Sequence, residues 1–249
     1  MLSSVLDRRP ATSVEDVVGI MTTLEETLPK SDGLWWFNHL YLEVTLAVRQ
    51  TIVATAFKDS AFLNRLDVVF GNLYFEAVAA GDSNPDAAPP AWRPLLGARA
   101  RGNLEPLQFA LAGMNAHINR DLPAGIVTVH EELGGAPASS GARHDDFEQV
   151  NSLLESVEAK VKAEYLTGAL AVIDEATSPV DDRVAMWNVR AARDAAWTSA
   201  EVLWALKPTP ALQRDYFDRL DRLTGFASRG LLTPVATAHV QRTMTSKES

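Results

Sequence analysis

The chain of 249 residues is 47% hydrophobic and 22% charged, enough apolar material to build the core of one large soluble domain. Its formal charge of −9, with no Lys/Arg-rich segment to offset it, repels phosphate backbones and anionic membrane surfaces, so nucleic acid is not an expected partner. There is no Cys, which excludes disulfide frameworks, thiolate nucleophiles and Cys-ligated zinc.

In chain order, "MLSSVLDRRPATSVEDVV" lacks the basic and then apolar regions of a secretory signal, and no apolar run reaches membrane-spanning length. The expectation is a cytoplasmic protein with no membrane partner and a flexible N-terminus over residues 1–12. "SVEDVVGIMTTLEETLP" then predicts a helix with Ser13 as N-cap and Asp16 three residues on, followed by Val17, Ile20, Met21, Leu24 and Leu28 at helical spacing. Residues 33–57, "GLWWFNHLYLEVTLAVRQTIVATAF", are apolar over most of the circumference and read as the central, most buried helix. "SAFLNRLDVVFGNLYFEAVAAG" follows with a Ser60 cap and a Gly81 stop. The stretch "GDSNPDAAPPAWRP" reads as a loop. "NLEPLQFALAGMNAHINRDL" is the next long helix, broken or kinked at Pro123, and "GGAPASSGARH" is a flexible connection. Helical spacing resumes over residues 145–176, 180–206 and 210–230, and the tail over 233–249 reads as frayed.

Alternating strands, fixed-period repeats and nucleotide-binding motifs are all missing, so the list predicts an all-α, single-domain bundle of about seven or eight helices over residues 13–232, with no nucleotide cofactor. "LAGMNAHINRDLP" followed by "HDDFEQVN", together with "FNHLYLEVT", "LDVVFGNLYFEA" and "ARDAAW", resembles an uncharacterised bacterial family, a domain of unknown function. The resemblance implies a self-contained helical domain and brings no activity, substrate or assigned residues.

Within "GMNAHINRDLP", His117 and Asp121 stand four apart on one flank of the apolar stripe, and Asn115 and Asn119 stand four apart on the other. The Asn pair reads as structural. A second His-carboxylate pair, His39 and Glu43, lies on the 33–57 helix. Two such pairs facing one core, with Asp145 as an added oxygen ligand, make a candidate catalytic and metal set for a divalent ion such as Zn, Fe or Mn. Asp145 and Asp146 equally suit helix capping. Along residues 186–204, Arg190, Arg193 and Trp197 share a face able to hold an anionic or planar substrate, and Trp36 offers a pocket wall near His39.

Three functions remain open on these residues. The first is an enzyme on a small, anionic molecule in an interhelical pocket, acting by metal-assisted hydrolysis. A metal-free isomerase or cyclase would use the same His and Asp groups for proton transfer. In a non-enzymatic binding or scaffold protein, the Asn, His and Asp side chains would instead fix how the helices pack.

Overall fold

The structure, a computed structural model, describes residues 2–54, 57–151, 154 and 188–234. Its fold is an all-α bundle of α1 (Leu2–Leu6), α2 (Val14–Thr27), α3 (Gly33–Ala54), α4 (Ser60–Gly81), α5 (Arg93–Ala98), α6 (Pro106–Ala116), α7 (Leu122–Leu133), α8 (142–151), α9 (Val189–Ala205) and α10 (Pro210–Leu231). The helices expected over 145–176 and 180–206 lie partly outside the described residues, as does most of the tail. No helix among the described residues is long and apolar enough to cross a membrane.

Local signals account for most boundaries. The Ser13 hydroxyl accepts from the Asp16 amide at 3.1 Å while the Asp16 carboxylate accepts from the Ser13 amide at 3.1 Å, which closes the expected capping box on α2. The N-cap of α4 is Asp59 rather than Ser60. Its carboxylate takes the Phe62 amide at 3.0 Å, a charge-assisted bond that a serine hydroxyl does not match. Gly81 does end α4, but for space rather than for a left-handed cap: a Cβ there would lie 2.5 Å from the Leu96 side chain of α5. The residue 81–94 loop carries a short 3-10 turn, Pro85–Ala87, and leads directly into α5.

Two expectations are corrected. Residues 2–6 are not a flexible lead: α1 buries Leu2, Val5 and Leu6, spaced i, i+3 and i+4, against α2 and α4. The central element is also not α3. α6 and α7 form one continuous rod, with α6 held between α3 and α10 and α7 between α4 and α9. Small residues allow that position. Ala110, Ala112, Gly113 and Ala116 let neighbours close on α6 from several sides, and a Cβ on Gly113 would lie 2.3 Å from the Phe37 ring of α3. α3 itself leaves Arg49 and Gln50 exposed and forms one wall of the core.

Candidate functional site

The rod is not broken at Pro123. Instead, residues His117–Asp121 form one π-helical turn, in which the Leu122 amide donates to the His117 carbonyl five residues back. A proline ring clashes with the carbonyl four residues before it and lacks an N–H to pair with it, and a widened turn just ahead of Pro123 accommodates both defects without ending the helix.

That turn aims the motif in two directions. On one side, His117 is 1% exposed and enclosed by aromatic rings. Phe70 stacks on it with centroids 3.4 Å apart and planes 6° apart, and Tyr41 meets it edge-on at 4.6 Å. Its Nδ1 lies 3.0 Å from Asp121 Oδ2. The same oxygen accepts from Trp92 Nε1 at 3.0 Å, and Oδ1 takes Arg120 Nη1 at 2.5 Å, so Asp121 is an acceptor shared by three donors. A carboxylate partner places the imidazole proton on Nδ1, and Nε2 is left buried without a hydrogen-bond partner. Burial pushes the His117 pKa below its ordinary value, so the ring is neutral. Arg120 continues the network to Asp221 on α10 at 3.2 Å, and Asp221 in turn accepts the Ala91 amide at 2.7 Å. On the other side, Asn119 donates to Asn115 at 2.9 Å, and Asn115 donates to the Thr224 carbonyl and the Ser228 hydroxyl of α10, both at 2.9 Å.

The remaining expected residues do not join His117. The carboxylate on His39, among the described residues, is that of Glu25 on α2 at 2.7 Å and not Glu43, because stacking on Trp35 at 4.8 Å turns the imidazole toward α2. Trp36 sits half-buried edge-on to Trp35 and does not line the cavity described below. Asp145 is exposed and paired with Lys58 Nζ at 2.6 Å, while its neighbour Asp146 is buried and accepts the Lys58 and Asp59 amides at 3.0 and 2.6 Å. Of His39, Glu43, His117, Asp121 and Asp145, only His117 and Asp121 are bonded to each other, and among the described residues no three of them come together around one ion. This corrects the joint site read from the two i,i+4 pairs. Arg190 reaches Glu148 at 3.1 Å at the surface, and Trp197 is a core ring packed on Phe147 at 4.8 Å.

Arg193 is different. It is 7% exposed, its guanidinium lies over the Phe147 ring at 4.1 Å, and Nε donates to the Asn151 side chain. Its side chain lines a cavity of about 60 Å³ between α3, α4, α8 and α9. Tyr41 and Thr45 enter from α3 and Asp67 from α4, against walls that include Val44, Val48, Leu63 and Leu66. Asp67 has no hydrogen-bond or ion-pair partner among the described residues. Half-buried by surface, it is nevertheless set deeply enough that desolvation dominates its titration: burial pushes its carboxyl up to about 6, against a partial pull downward from Arg193. Burial likewise brings Arg193 down to about 10, still charged at neutral pH. Tyr41 and Phe70 belong both to this cavity and to the cage around His117, so the motif supports the cavity's floor from behind.

Asp67 is the residue that sequence reading passed over. Its signal is present in "LNRLDVVFGNLY", where it stands on the stripe of Leu63, Leu66, Phe70 and Tyr74, an acid at a core position of an amphipathic helix.

Nothing among curated proteins or solved structures matches the chain. A family model does match, over residues 14–234, from the first residue of α2 to just past the end of α10, and the chain accordingly belongs to the family of unknown function DUF5995.

Proposed function

We propose that this domain takes a small organic molecule into the cavity between α3, α4 and α9, with Asp67 as the group that exchanges a proton with it. The single observation behind this reading is a carboxyl with no partner among the described residues, facing a cavity whose other polar members are Arg193, Tyr41 and Thr45. A buried carboxylate left without donors is costly, and folds that hold one tend to use it. With its pKa near 6 the group is present in both protonation states around neutrality, the condition for general acid–base catalysis. In this reading, the chemistry expected of His117 and Asp121 passes to Asp67, and the motif serves as the rigid wall that holds Tyr41 and Phe70.

The test is a ligand-observed NMR screen of small polar organic molecules against the full chain, with pH profiles of binding or turnover for each hit. The expected profile bends near pH 6 in the wild type and loses that bend in Asp67→Asn, while Leu63→Trp, which fills the cavity, abolishes binding. Hits that ignore both substitutions would overturn the proposal. A purely architectural protein would give no hit at this cavity at all.

A further inference from the structure

We infer that the molecule this cavity accepts is a short-chain carboxylate, taken up together with one proton. The inference rests on the cavity reading above and adds the class of ligand and its charge bookkeeping.

The first observation is the state of Arg193. Asn151 holds its Nε and the Phe147 ring holds its plane, while its two terminal nitrogens meet no acceptor among the described residues. A guanidinium fixed in this way presents a rigid pair of donors, the geometry that a carboxylate matches with two parallel hydrogen bonds. The second observation is that Asp67 and Arg193 line the same cavity and feel each other's charge, yet make no direct ion pair. Opposite charges that share a cavity without touching leave room for a bridging group between them. The third is the wall: Val44, Val48, Leu63 and Leu66 suit an alkyl chain, and about 60 Å³ limits that chain to a few carbons.

Charge balance supplies the proton. With Asp67 ionised and Arg193 protonated, the cavity is neutral, and an entering carboxylate would leave one uncompensated negative charge in a desolvated space. Among the described residues, other facing groups do not relieve it. The Tyr41 phenol from α3 keeps its proton, since burial raises its pKa well above the ordinary value, and Glu148 of α8 and Asp194 of α9 act on Arg193 as further negative charges. Two carboxyls beside one guanidinium therefore share one proton, which the solvent provides. The reverse choice, an ammonium ligand on Asp67, is disfavoured by an asymmetry between the two residues. Asp67 gives up its charge readily near neutrality, whereas Arg193 stays cationic and would repel a second cation.

The experiment is titration calorimetry of the full 249-residue chain with propanoate, propanamide and propan-1-amine, run at pH 7.5 in two buffers of different ionisation enthalpy. Propanoate should bind with uptake approaching one proton, and its affinity should fall about tenfold per pH unit above Asp67's pKa, by linkage. Propanamide and propan-1-amine should bind at least about tenfold more weakly, having no charge-assisted partner for Arg193. Asp67→Asn should keep propanoate binding but lose both the proton uptake and the pH dependence. Arg193→Lys, checked for native circular dichroism, should weaken propanoate at least about tenfold, because an ammonium cannot form the paired contact. Failure of propanoate to bind, or binding without proton uptake, overturns this inference. If propanamide or propan-1-amine binds instead and Leu63→Trp blocks it, the cavity reading stands and only the ligand class falls. If no probe responds to Leu63→Trp, the cavity reading falls too.

Discussion

Replacing Asp67 with Asn should make the protein more stable, and by an amount that depends on pH. In the fold this carboxyl holds its proton up to about pH 6, against an ordinary value of 3.8, because burial disfavours the charged form. Between those two values the native state binds more protons than the unfolded chain. Stability contributed by this group therefore falls as pH rises from 3.8 to about 6, and the full penalty persists above. The difference amounts to about 3 kcal/mol at pH 8 and about 1 kcal/mol at pH 4.5 by proton linkage. An Asn side chain of nearly the same shape carries no such penalty. Urea unfolding of wild type and Asp67→Asn at both pH values isolates the term, since other titrating groups cancel in the comparison. The variant should be the more stable at pH 8, by up to about 3 kcal/mol, with its advantage shrinking by about 2 kcal/mol at pH 4.5. A variant that is less stable at pH 8, or an advantage of equal size at both pH values, refutes the placement of Asp67 as a desolvated carboxyl with no partner among the described residues.

His117→Ala empties the centre of an aromatic cage and should cost about 3–5 kcal/mol in urea unfolding, the range for deleting a buried ring. His39→Ala should add its own smaller loss independently, because the two imidazoles share no hydrogen-bond partner among the described residues; strong coupling in the double variant would contradict the separation. Asn119→Ala removes one donor to Asn115 in a half-buried setting and should lower stability by about 1 kcal/mol, read as a reduced melting temperature. Gly113→Ala drives a methyl into Phe37 and should cost about 1–3 kcal/mol, and an unchanged melting temperature would mean that α3 and α6 are not in close contact.

What could be read from the sequence was local. The α2 capping box, the His117–Asp121 bond and the Asn119–Asn115 bond all join residues three or four apart on one helix, where spacing alone sets proximity. The same rule misled at His39. Glu43 was the right distance away along α3, but stacking on Trp35 turned the ring toward Glu25 of a different helix. The donors that fix Asp121 show the limit clearly. Trp92 arrives from the Pro-rich stretch that read as loop, so its indole could not be assigned to the motif by any periodicity. Asp67 stood in plain view on an apolar stripe, yet its meaning depends on Arg193, brought beside it by packing of α9 rather than by spacing. Pro123 did mark a special place in the rod, although the outcome was a widened turn and not a break.

That widened turn changes the phase of everything after it. One extra residue absorbed between Ala116 and Leu122 rotates α7 by roughly 100° relative to where an unbroken α-helix would have carried it. A single continuous rod can then show α3 and α10 one set of side chains and α4 and α9 another, with Leu111 and Met114 keeping to the first register and Ile126 and Val129 to the second. Length in this stretch is therefore as constrained as chemistry. A substitution at 118 alters one contact, and the loss of one residue from the turn closes it to a plain α-helix with α7 still in phase, whereas the loss of one residue elsewhere in the rod, with the widened turn kept, swings α7 by roughly 100° away from its neighbours.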